Sequence, residues 1–208
     1  MKYIILMMSV MCVIACSKEI PPDRLEYDMI DVFSEPVQTT VDDDTPFQRT
    51  IKNGEVTITP IAQYAISGVV VGTKKYSSGW ESEICPIDVA IIWGELTKPH
   101  VRATMKYSQS NRWVYYQWSS ECTIDQGYIE SHCSNNHCIP ANEKIKKALF
   151  QIKKEDQLRL EGNLVQIKGT KKGSEIWWNS STVRTDSLNG ACEIIVVTRV
   201  RINEKVFE

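Results

Sequence analysis

Two histidines and two cysteines lie within one eight-residue stretch of the chain, residues 131–138, which reads Ser-His-Cys-Ser-Asn-Asn-His-Cys. Imidazole and thiolate are ligands that zinc prefers, and Cys122 would add a further sulfur. The histidines and cysteines are, however, adjacent in pairs, a spacing that matches neither a zinc finger nor a zinc ribbon. We therefore expect no metal or other cofactor, and we interpret the stretch as a loop braced by disulfide bonds.

The same loop contains the groups of a nucleophilic catalytic site. His132 or His137 would act as general base toward Ser134 or a free cysteine, and Asp186 would orient the imidazole. The chain shows no nucleophile elbow, metalloprotease helix or phosphate-binding loop. We therefore favour a polar site without catalysis, and an envelope hydrolase or metal-dependent enzyme is the alternative hypothesis. The candidate polar residues are His132, Asn135, Asn136, His137, Arg184 and Asp186.

Aromatic residues offer a second kind of site, because the chain has six tryptophans and eight tyrosines. Flat rings stack on sugars and peptide groups, although buried tryptophans more often serve packing. Neighbouring residues on a strand face opposite sides, so one member of the pair Trp177 and Trp178 is expected near solvent. The candidate aromatic surface consists of Trp113, Tyr115, Trp177 and Trp178.

The elements that position these residues are mostly strands. Runs rich in β-branched and aromatic residues occur at 56–59, 61–71, 112–118, 157–167 and 192–200, and 86–94 fits a strand or a helical turn. Lys172-Gly173 and Asn189-Gly190 have the residue types of tight hairpin turns. One helix is expected over residues 141–152, with Asn142 as its cap. The sequence predicts a β-rich α+β fold, a curled or barrel-like antiparallel sheet with one accessory helix.

The first sixteen residues form an export signal by resemblance. Lys2 precedes an apolar run over residues 3–14, and Val13-Ile14-Ala15-Cys16 is similar to the lipobox of bacterial lipoproteins. The run is shorter than the roughly 20 residues that span a bilayer, which favours a cleaved signal over residues 1–15. The resemblance implies lipid attachment at Cys16 and a place in the bacterial cell envelope, on the outer membrane facing the periplasm if the host has two membranes.

Charge divides the mature chain. Residues 17–46 contain nine acidic residues against Lys18 and Arg24, and four of the eight prolines. We expect residues 16–46 to form an extended acidic tether that links the lipid to a single globular domain over residues 47–208. That domain has a net charge of about +4, too small and scattered to predict a nucleic-acid partner.

Five cysteines then face an oxidising compartment, so at least one is unpaired or forms a bridge between chains. Cys192 opens an apolar strand and is expected to be a buried thiol. The disulfide candidates are Cys85, Cys122, Cys133 and Cys138.

Four stretches together resemble a family of uncharacterised bacterial proteins. They are residues 82–93, 108–113, 136–141 and 184–193, and the resemblance covers about residues 60–200. It implies one coherent domain and transfers no catalytic residue. The chain departs from the family at Cys133 and Cys138, which favours an added bridge there. We therefore predict a lipid-anchored accessory or binding domain whose partner is an envelope protein or a glycan.

Overall fold

The computed structural model describes residues 19–183 and 192–208. The strands are β1 Arg24–Leu25, β2 Val37–Thr39, β3 Phe47–Ile51, β4 Gly54–Lys75, β5 Ile87–Ile92, β6 Met105–Ser110, β7 Trp113–Trp118, β8 Cys133–Pro140, β9 Gln157–Lys171, β10 Ser174–Asn179, β11 Glu193–Ile202 and β12 Lys205–Phe207. The α-helices are α1 Glu81–Ile84, α2 Pro99–Ala103, α3 Gln126–Ser131 and α4 Glu143–Leu149, with a 3₁₀ turn at Gly94–Thr97. Within the described ranges, no helix is both long and apolar enough to cross a membrane.

Five strands form the centre of one large sheet. β4 pairs with β5, β5 with β8, β11 with β9 and β9 with β4, all antiparallel, whereas β8 and β11 run parallel. These pairings curl the sheet strongly upon itself. This confirms the predicted curled, β-rich α+β fold and adds one parallel pair to the expected antiparallel ones.

The 22-residue strand β4 accounts for the curl. One of its edges pairs with β9, and the other pairs in succession with β3, β2 and β5. Register shifts at Pro60/Ala62 and at Val70/Gly72 mark bulges, which bend a strand and increase its twist. Gly68 allows the bend to close, because a Cβ there would lie 2.3 Å from the carbonyl oxygen of Ile92.

The sheet has three apolar clusters. The largest fills the inside of the curl, with Ile66 and Ile195 among its members. A second packs the outer face of β8 and β11, including Ile139, beneath β3, the first part of β4, the last part of β9, and β10. A third packs the β6–β7 hairpin and α3 on the outer face of β5, around Ile92 and Ile129. The outer face of β5 and β8 is therefore covered from two sides, with a seam between the two coverings.

Local sequence explains α4 well and β8 poorly. Asn142 caps α4 by accepting a hydrogen bond from the amide of Ile145 at 2.9 Å, as expected. The predicted loop over residues 132–138 is instead the strand β8, buried along most of its length. Its Cys-Ser-Asn-Asn-His composition has low β propensity, but pairing with β5 on one side and β11 on the other satisfies its backbone.

The acidic segment lies on the domain, contrary to the predicted extended tether. β1 pairs with β12, β2 pairs with β4, and Ile30 is buried. Arg201, only 5% exposed, donates to the carboxylate of Glu26 at 3.1 Å and to the backbone carbonyls of Glu26 and Asp28. Arg199 donates to Glu26 at 2.8 Å. The acids of this segment therefore bind two arginines of β11, and the segment wraps the domain as a strap, residues 19–39.

Candidate functional site

A buried carboxylate occupies the centre of the seam. Asp88 lies on the outer face of β5 with no exposed surface, within an otherwise apolar strand. Its register partner across β8 is His137, and Nδ1 of His137 lies 2.9 Å from Oδ1 of Asp88. An uncompensated buried charge is costly, so this aspartate depends on the groups around it.

Arg112 supplies the compensating charge from the tip of the β6–β7 hairpin. Its Nη1 donates to Oδ1 of Asp88 at 2.7 Å, and its Nη2 donates to the carbonyl oxygen of Cys85 at 3.0 Å. The guanidinium lies 3.8 Å from the ring centroid of Tyr76 and 5.4 Å from that of Trp178. One ion pair, one carbonyl and two aromatic faces therefore fix the arginine in a single orientation.

The hairpin turn adopts a backbone conformation that side chains disfavour. Asn111 and Arg112 have φ of 51° and 68°, as in a two-residue hairpin turn of the mirror-image type. Neighbouring side chains support the turn. The hydroxyl of Tyr76 accepts from the amide of Arg112 at 3.2 Å, and Asn135 donates to the carbonyl of Arg112 at 2.8 Å. Gln109 in turn donates to Asn135 at 2.8 Å.

Electrostatics keep the carboxylate charged. Burial acts to raise the pKa of Asp88, but hydrogen bonding and charge from His137, together with the charge of Arg112, outweigh it and hold that pKa below its usual value. The pKa of Tyr76 rises to about 12, mainly through burial and then through the charge of Asp88. Asp88 and Arg112 thus form a charged pair at neutral pH, with His137 and Asn135 beside the carboxylate and two aromatic rings beside the guanidinium.

The seam opens into a cleft of about 270 Å³ above this polar cluster. The hairpin, β8, β10 and α1 all contribute to its wall, together with the residue before β11. The lining residues are Glu81, Arg112, Trp113, His137, Trp177, Trp178, Asn179 and Cys192. Trp177 is 72% exposed, whereas Trp178 packs over His137 with ring centroids 4.8 Å apart. The cleft therefore combines a fixed guanidinium, a histidine and an accessible indole.

Three of the four candidate aromatic residues, Trp113, Trp177 and Trp178, line this one cleft. Tyr115 is 50% exposed on β7 but does not line it. Trp177 faces solvent while Trp178 contacts Trp80 and the second apolar cluster, as strand alternation requires.

The candidate polar residues separate into different places. Asn135 and His137 join the Asp88 cluster, while Ser134 and Asn136 point to the opposite face of β8. Ser134 donates to Glu193 there, so it is not a nucleophile for His137. The carboxylate beside the imidazole of His137 is that of Asp88. Arg184 and Asp186 are outside the described residues.

His132 takes part in a separate contact with the strap. Its Nε2 lies 2.8 Å from Glu35, whose other oxygen accepts from the indole of Trp93 at 3.0 Å. The imidazole stacks on Tyr128 with centroids 3.6 Å apart. The two histidines of the sequence cluster therefore belong to two sites, because His132 ends α3 before β8 begins, whereas His137 lies within β8.

The four disulfide candidates carry free thiols: Cys85, Cys122, Cys133 and Cys138. The bridges expected among them are not formed. Cys85 and Cys138 are buried in different apolar clusters, and burial raises the pKa of both thiols. Among residues 19–183 and 192–208, no three His, Cys, Asp or Glu side chains are grouped so as to hold a metal ion.

The residues that sequence reasoning missed are Asp88 and Arg112, the centre of the site. One signal was present, since Asp88 is the single charged residue in the apolar run 86–94. Arg112 gave no such signal, because an arginine after Ser110 and Asn111 is ordinary for a turn. Its partnership depends on a hairpin folding back across β5.

Compared with protein-family models, with curated proteins and with solved structures, the chain matches none. The interpretation of the cleft therefore rests on its own geometry.

Proposed function

We propose that this protein is a lipid-anchored binding module of the bacterial cell envelope, and that the seam cleft binds a glycan. The anchor is Cys16, and the partners are the membrane, through the lipid, and an envelope polysaccharide. No catalytic step is required for this role.

The accessible indole of Trp177 beside the fixed guanidinium of Arg112 is the observation that supports a glycan. Sugars present an apolar C–H face that stacks on an aromatic ring and hydroxyl groups that need polar partners. Arg112, Glu81 and Asn179 supply donors and acceptors around the indole. Because Arg112 is already held by Asp88 and Tyr76, its ordering costs little when a ligand binds.

The order of strand pairing gives further support by analogy of architecture. A curled five-stranded sheet with one parallel pair and a helix between β8 and β9 resembles the OB fold, whose members include oligosaccharide-binding domains. The analogy concerns architecture alone, and the glycan proposal depends on the side chains of the cleft.

The test is a calorimetric titration of the purified mature chain with the tetramer of N-acetylglucosamine. Trp177→Ala is expected to weaken binding at least ten-fold, equivalent to about 1.4 kcal/mol. Trp118→Ala is the matched control, because Trp118 is 42% exposed on β7 and does not line the cleft. Absence of saturable binding by the wild type, or equal losses in both variants, would refute the proposal.

An envelope hydrolase is the second candidate function. It is favoured by the 2.9 Å approach of His137 to Asp88 and by the position of His137 in the cleft wall. A carboxylate beside an imidazole is the pairing that orients a general base. If the same tetramer is cleaved by the wild type and not by His137→Ala, the enzyme hypothesis replaces the binding module.

A further inference from the structure

Three large side chains with apolar surface are exposed at alternate positions of the strap. Leu25, Tyr27 and Met29 are 49%, 80% and 91% exposed. Between them, the carboxylate of Glu26 and the backbone carbonyl of Asp28 face Arg201. Large exposed apolar groups in a row mark an interaction surface.

The position of the lipid-bearing residue indicates what covers this row. Glu19 contacts Lys205 at 3.3 Å, and Leu25 pairs with Lys205 in the sheet. Two residues, Ser17 and Lys18, separate Cys16 from Glu19, so the three peptide links between them limit the Cα separation to about 10 Å. The strap therefore shortens the link between lipid and domain from some thirty residues to two.

We infer that Leu25, Tyr27 and Met29 insert into the interfacial layer of the membrane that holds Cys16, so that the β1–β12 edge faces the lipid. This inference rests on the proposed lipid anchor. Leucine and methionine contribute buried apolar area, and tyrosine favours the boundary between headgroups and acyl chains. Insertion of these three side chains holds the domain in one orientation relative to the membrane, which an acyl chain alone does not do.

Photo-cross-linking of the mature lipoprotein tests the contact directly. The protein is reconstituted in vesicles of phosphatidylethanolamine and phosphatidylglycerol, with Tyr27→p-benzoylphenylalanine as the probe. The control is Trp177→p-benzoylphenylalanine, since Trp177 is 72% exposed on β10 at the other end of the sheet order. We expect at least ten-fold more lipid adduct from position 27 than from position 177.

The anchor and the row give separate results. The mass of the amino-terminal peptide reports acylation of Cys16 independently of the cross-link. Membrane insertion of the row is refuted if an acylated chain gives equal lipid adducts at both positions. It is also refuted if position 27 cross-links to a second copy or to another protein. If the chain is unacylated but position 27 still gives lipid adducts with added vesicles, insertion of the row is supported and lipid attachment at Cys16 is refuted. If the chain is unacylated and gives no such adducts, both hypotheses are refuted.

Discussion

The ion pair between Asp88 and Arg112 is expected to be a major contributor to stability. Removing one member of a buried ion pair costs about 3–5 kcal/mol, because the other charge stays behind without compensation. The side chain of Arg112 retains 18% exposure, so water relieves part of that cost. We therefore expect Asp88→Ala to lower the free energy of unfolding by about 3 kcal/mol, the low end of the range.

A double-mutant cycle measures the pair itself. The wild type, the two single variants Asp88→Ala and Arg112→Met, and the double variant are unfolded in urea. Their free energies of unfolding are compared with a common dependence on urea concentration. A hydrogen bond to a charged group contributes about 1.5–3 kcal/mol, and we expect a coupling energy of that size. Replacing both members should therefore cost clearly less than the sum of the two single changes.

Additivity would refute this reasoning. If the two single losses sum to the double loss within about 0.5 kcal/mol, Asp88 and Arg112 do not stabilise each other. A loss below about 1 kcal/mol for Asp88→Ala would likewise mean that the carboxylate is not an obligatory partner of the arginine.

Three further predictions concern pH, the strap and the histidine. The folded state lowers the pKa of Asp88 below its ordinary 3.8, so the ionised carboxylate stabilises the fold above that pH, and this contribution is lost as pH falls through the folded pKa. Urea unfolding between pH 6 and pH 2 should therefore show a smaller decline in the free energy of unfolding for Asp88→Asn than for the wild type. Arg201→Ala removes a 5% exposed guanidinium that holds Glu26, so we expect a loss of about 2–4 kcal/mol and proteolytic cleavage within residues 19–39, whereas exposed Lys172→Ala should leave the proteolysis pattern unchanged. His137→Ala removes the ring beneath Trp178 and should weaken binding of the glycan tetramer several-fold. Mass spectrometry of the tetramer after incubation with the wild type should show no cleavage product, and any such product would contradict the binding role.

Local patterns predicted the elements well. The helix expected over 141–152 is α4 at Glu143–Leu149, and the run at 157–167 begins β9. The Lys172-Gly173 hairpin turn is also confirmed, with φ of 51° and 81°. These features depend on a few neighbouring residues, so a window of sequence contains the information that specifies them.

The site and the strap depend on partners that are distant in the chain, and local patterns carry little sign of such contacts. Glu26 pairs with Arg201, 175 positions away, and composition alone describes such acids as a solvated spacer. The composition of residues 132–138 predicts a loop, but β8 is stabilised by pairing with β5 and β11 and not by its own propensity. Asp88 and Arg112 lie in separate stretches of the sequence, and only their contact through the folded hairpin gives them a role.

The length of β4 has a consequence for how the chain reaches its native state. The first residues of β4 pair with the last residues of β9, with Gly54 opposite Lys171. Contacts so far apart in sequence form slowly, because a long loop must close before any of them is gained. Until residue 171 has left the ribosome, the apolar side of β4 lacks its longest neighbour and is open to association with other chains. A chain of this topology is therefore expected to need a chaperone that keeps it from associating during synthesis.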